Sequence, residues 1–134
     1  MKQKKLTLDR AWEMCVEMWD WIAGMIKRDP ELENSIDFLK IVYIALNFPD
    51  MVGELHNNCP FCQYGLESMT FEKTCCDSCP GRLVSKRFAC MDSSYQYDKF
   101  PKKFHKKLLS LYARYLKQKQ GCSKQKNRKN KKLN

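Results

Sequence analysis

Residues able to carry chemistry are concentrated in one stretch of the chain. Cys59-Pro60-Phe61-Cys62 and Cys76-Asp77-Ser78-Cys79 form two C-x2-C pairs with 13 residues between them. Two cysteines three apart on a tight turn can aim both sulfurs at one ion, about 2.3 Å from a zinc, and two such turns complete a tetrahedron of thiolates. Zinc binding of this kind contributes on the order of 10 kcal/mol to folding. Pro60 pre-sets the first turn, and Gly65 and Gly81 free the chain just after each pair. The expectation is one structural zinc held by Cys59, Cys62, Cys76 and Cys79. Alternates lie close by: Cys75 gives a C-x3-C spacing to Cys79, Cys90 follows Cys79 by 11 residues, and His56 precedes Cys59 by three.

Other chemistries for these cysteines are weaker. Cys-Pro-Phe-Cys resembles the active-site tetrapeptide of glutaredoxins, where the pair follows a buried strand and opens a helix. Here Gly53 to Asn58 precede it, which is no strand, and a second C-x2-C follows, so a thiol-redox enzyme is the lesser alternative. A disulfide framework requires an oxidising compartment. An HNH-type nuclease requires histidines to activate water, and the chain has only His56 and His105. Cys15 falls on an apolar stripe and reads as a small core residue, while Cys122 sits among basic residues as an exposed thiol.

The second feature is charge. The formal net charge is +10, yet residues 1–55 carry a net −3 and residues 56–98 a net −1. Residues 99–134 hold 14 basic groups and no acidic one. A cationic third on an acidic body points to a polyanionic partner. The candidate nucleic-acid contacts are Lys102, Lys103, Lys106, Lys107, Arg114, Lys117 and Lys119, continued by Lys124, Lys126, Arg128, Lys129, Lys131 and Lys132. Lysines position a protein on phosphates without reading bases, so such binding to DNA or RNA is sequence-tolerant. The bland counterpart is a solubilising tail. Phe100, Phe104, Tyr112 and Tyr115 interleave with the lysines and could stack on bases, but their helical spacing favours core packing. Tyr95 and Tyr97 alternate with polar residues and are the better candidates for exposure.

These groups must be held by helices. Thr7 can cap the first, along which Leu8, Trp12, Cys15, Trp19, Ile22 and Ile26 recur at helical spacing until Pro30 ends it. A second stripe, Met14, Met18, Trp21 and Met25, runs beside the first. It reads as further core or as a partner-binding surface, since Met adapts to a target and Trp anchors interfaces. A second helix is expected from Ser35 to about Asn47, so apolar all round that it belongs at the centre. Residues 50–101 hold six of the eight cysteines and no long periodic segment, and read as an irregular insert. A third helix begins near Pro101 with Phe104, Leu108, Leu111 and Tyr115 on one face, and Gly121 suits its end. Residues 121–134, Lys/Asn/Gln-rich, are expected to be disordered.

The fold class is thus mainly α: one zinc-binding domain over residues 1–120, with a cysteine-rich insert at about 50–101 and a basic tail at 121–134. A length of 134 residues suits one domain, and 43% apolar residues suffice for a core. The N-terminus puts charges where a signal peptide needs an apolar run, and no apolar run is long enough for a bilayer, so a cytoplasmic, reducing setting is expected.

The Trp-bearing helix (EMWDWIAGM), the CPFCQY element, the CDSCPG element and a later single cysteine together resemble a loose group of small bacteriophage proteins without an assigned activity. Members open with a similar helix and carry C-P-x-C followed by C-x-x-C-P. The resemblance covers about residues 10–95 and implies a phage origin and a zinc-stabilised fold, and hence the cytoplasm of an infected bacterium. The lysine-rich tail and Cys75 depart from it. The expected function is a non-enzymatic accessory protein binding nucleic acid, or a nucleic-acid-bound complex, through its C-terminus. The alternative is a modulator of a host protein acting through the Trp/Met surface.

Overall fold

The computed structural model describes residues 6–72 and 74–120. Its regular structure is helical, with no strand among the described residues. Five α-helices follow in order: α1 (Leu8–Arg28), α2 (Ile36–Asn47), α3 (Pro60–Glu67), α4 (Pro80–Val84) and α5 (Pro101–Leu133), the last described through Gln120. Short 3-10 turns at Pro30–Asn34, Pro49–Met51 and His56–Asn58 join them. The disorder expected of residues 121–134, the basic residues placed there and Cys122 all lie outside the described residues.

Helix α1 starts where its cap places it: the Thr7 hydroxyl accepts from the Arg10 N–H at 3.1 Å. Its end is handed on by Asp29, which caps the next turn through the Glu31 N–H at 3.2 Å. Both stripes of α1 are inside. Trp12, Cys15, Trp19, Ile22 and Ile26 are buried, and so are Met14 and Met18. Trp21 and Met25 are half-buried, with Trp21 against Tyr43 of α2 at 5.7 Å between ring centres. The Met/Trp stripe is therefore packing surface along much of its length, because neighbours flank α1 on more than one side.

The central helix is α1, not α2. Leu39, Tyr43 and Ile44 of α2 face inward, but Phe38, Ile41 and Leu46 are exposed. An all-round apolar sequence permits central burial; it does not supply enough neighbours to cover every face.

Helix α5 lies antiparallel to α1. Asp9, near the start of α1, pairs with Lys119 at 2.7 Å, whereas Asp20, a further three turns along, meets His105 at 2.6 Å. Between these ends the apolar face expected of α5 is buried as read: Phe104, Leu108, Leu111 and Tyr115. Aromatic rings join the layers. Trp12 meets Phe61 of α3 edge-on at 4.7 Å and stacks against Tyr115 at 5.3 Å, while Trp19 rests on Phe104 at 4.7 Å. The base-stacking role considered for Phe104 and Tyr115 is thus superseded by core packing. Tyr95 and Tyr97, expected to be exposed, are also packed: Tyr95 stacks on Phe88, and Tyr97 stands edge-on to Trp19.

Candidate functional site

The cysteine-rich segment folds as two short helices rather than as an irregular loop throughout. Each follows a Cys-Pro step. Cys59 is the N-cap residue of α3 and Cys79 that of α4, with proline as the first helical residue of each. Proline suits that position because its missing N–H is one of the four a helix start leaves unpaired. Cys62 then falls in the first turn of α3. The approach to Cys59 is made by Asn57 and Asn58, whose φ values of 55° and 50° are left-handed. Asparagine tolerates that conformation better than most residues. So the pair does open a helix, and a 3-10 turn precedes it.

The sulfurs gather around two adjoining cavities. The larger, about 540 Å³, is lined by Cys15, Cys59, Cys62, Cys79 and Cys90, with walls from Trp19, Phe61, Phe88 and Phe104. The smaller, about 180 Å³, is lined by Cys62, Cys75, Cys76, Cys79 and Cys90. Cys62, Cys79 and Cys90 border both. Of the four expected zinc ligands, Cys59, Cys62 and Cys79 come together, while Cys76 is exposed and borders only the smaller cavity. Among the alternates, Cys90 borders both, Cys75 donates to the Cys62 carbonyl at 3.3 Å, and His56 is exposed and borders neither. The seven described cysteines are free thiols. As they stand, no three His, Cys, Asp or Glu side chains among the described residues are grouped closely enough to hold a metal ion. The donor set itself, soft sulfur in a mostly apolar setting, is one that zinc accepts, as do copper(I) and iron–sulfur clusters.

Two residues of this site were not legible as such. Cys15 reaches it from α1, and its thiol is pushed well up by burial and by hydrogen bonding to Cys59. Cys59 moves the other way, held well below the usual thiol value by hydrogen bonds from Cys15 and Cys62 and by Lys40 nearby. Burial pushes Cys79 up to about 12 and raises Cys90 as well. The second residue is Lys40 of α2, only 6% exposed. Its ammonium donates to the Asn57 carbonyl at 3.0 Å and lies 4.7 Å from the centre of the Tyr97 ring. A basic residue in the middle of an apolar helix was the available signal.

The opposite face of α5 is cationic. Lys102, Lys103, Lys106, Arg114, Lys117 and Lys119 are exposed and Lys107 is half-buried. Among the described residues, the ion pairs made by α5 are Lys119 with Asp9 and His105 with Asp20. Lys103 and Lys107 lie over the rings of Phe100 and Tyr95. No helix among the described residues is long and apolar enough to cross a membrane. No protein family, curated protein or solved structure matches the chain.

Proposed function

We propose that the protein is a non-enzymatic accessory protein, of phage origin, that binds nucleic acid or a nucleic-acid-bound complex through α5 and the basic residues that follow it. A structural zinc at the cysteine cluster steadies the body. The observation that carries this reading is the division of α5. Its apolar face packs into the core, and Lys102, Lys103, Lys106, Arg114 and Lys117 stand in solvent on a segment with no acidic residue of its own. A docked helix followed by further basic sequence presents phosphate contacts without a base-reading element, so affinity comes from counterion release.

The test is binding to labelled duplex DNA and single-stranded RNA across a salt series. About six phosphate contacts give a logarithmic salt slope near −5 on duplex DNA. Truncation after Gln120, combined with Lys102→Gln, Lys106→Gln and Lys117→Gln, is expected to abolish binding. Retention of full affinity by that protein would overturn the reading.

A second reading, a modulator of a host protein, shifts from the largely buried Met/Trp stripe to the outer face of α2, where Phe38, Ile41 and Leu46 are exposed. The same truncated protein would keep its partner under that reading. A third, thiol redox at Cys59, draws on the acidified Cys59 thiol; it requires disulfide-substrate reduction that Cys59→Ser abolishes.

A further inference from the structure

We propose that the metal centre is made by Cys59, Cys62, Cys79 and Cys90, with the buried Lys40 ammonium as its countercharge and Cys76 outside it. This rests on the structural-zinc reading above and changes its ligands. Four sulfurs are available on the wall of the larger cavity from the insert, and Cys90 is among them where Cys76 is not. Cys76 lies on the exposed rim of the smaller one. Sequence spacing favours Cys76 because it completes a C-x2-C; the fold turns that sulfur outward and brings in the cysteine that lies 11 residues later.

Lys40 supplies the independent observation. A buried ammonium is costly unless an anion meets it. Among the described residues, no carboxylate lies within ion-pair distance of Lys40. The acid that shares the cavity, Asp37, is exposed and accepts from the Tyr97 hydroxyl at 3.3 Å. What surrounds the ammonium is a carbonyl, an aromatic face and the thiol-lined cavity. A zinc bound by four thiolates carries a net charge of about −2. In an enclosure walled by Trp19, Phe61, Phe88 and Phe104 that charge is poorly screened and calls for a cation beside it. Lys40 and the four thiolates answer each other's burial. The metal draws the sulfurs from the cavity wall onto one point, releasing a proton from each thiol that is still protonated. Cys15, arriving from α1, lines the same cavity behind them.

The experiment uses the full-length protein with zinc alone. Elemental analysis is expected to give one zinc per chain. Brief alkylation followed by peptide mass mapping should label Cys76 at once, and label Cys59, Cys62, Cys79 and Cys90 only after chelation. Protection of Cys76 together with immediate labelling of Cys90 overturns this ligand set and leaves the structural zinc standing. Failure to retain or take up stoichiometric zinc overturns both. Lys40→Met is expected to weaken zinc binding at least about tenfold in chelator competition, by loss of the ion's charge partner, with Lys40→Arg restoring part of it. A Lys40→Met protein that holds zinc as tightly as the wild type removes Lys40 from the centre. The wild-type labelling pattern reads the ligand set whether or not that variant folds.

Discussion

Individual side chains settle two matters that spacing left open. Lys40 looks in the sequence like a polar interruption of an apolar helix, and only the packing of α2 against the His56–Asn58 turn shows where its ammonium goes. The C-x2-C pattern located the site, but local spacing says nothing about which sulfurs face inward; that depends on how α3 and α4 dock. At the other end of the molecule Asp9 joins Lys119 and the Tyr115 hydroxyl. Its carboxyl is held below the ordinary value of 3.8, by Lys119 first and then by Tyr115. A depressed folded-state value stabilises the protein above pH 3.8, and that contribution is lost as pH falls through and below it. Asp9→Asn should therefore melt lower than the wild type near neutral pH, with the gap closing as pH falls below 3.8. Melting curves at a series of pH values check it; a constant gap would show that the carboxylate's charge is not what matters.

The two short helices depend on close approaches that a side chain would spoil. A Cβ at Gly65 would overlap the Cys75 carbonyl, and one at Gly81 would come within 2.5 Å of the buried Phe88 ring. Gly65→Ala and Gly81→Ala should each destabilise by about 1–3 kcal/mol, the cost of overpacking a filled site. Gly65→Ala should be the worse, because backbone must move where a ring could tilt; denaturant melts measure both. In the sequence these glycines read as freedom after a turn, whereas the structure uses them as contact points. The same difference separates α1 from α2. Caps, prolines and periodicity gave the limits of α1, α2 and the start of α5 to within a residue. Which helix would be central was not written in hydrophobicity, because centrality is a matter of how many neighbours an element has. Helix α1 packs against α2, α3, α4 and α5, and the burial of both its apolar stripes follows, while Glu13, Glu17 and Asp20 keep one polar edge in solvent.

Across the whole molecule, the core and the cationic segment share one helix but not the same residues. Among the described residues, the last buried core position along α5 is Tyr115, and Lys119 still reaches Asp9. Truncation after Gln120 should consequently leave the melting transition within about 0.5 kcal/mol of the full-length protein. Circular dichroism melts test this, and a large loss would mean that the basic residues support the fold. Trp12 marks the opposite extreme. It is fully buried between α3 and α5, its Nε1 finds no acceptor, and Trp12→Ala should cost about 3–5 kcal/mol and broaden the transition.

The antiparallel clasp of Asp9 on Lys119 has a topographic consequence. Leu6, three residues before Asp9, is held through its N–H to Glu67, at 2.9 Å, so the two ends of the described fold lie at one pole. A bulky label attached near Leu6 or Lys119 would crowd that pole. The solvent-facing stretch around Phe71, between α3 and α4, offers a site for a reporter that leaves it clear.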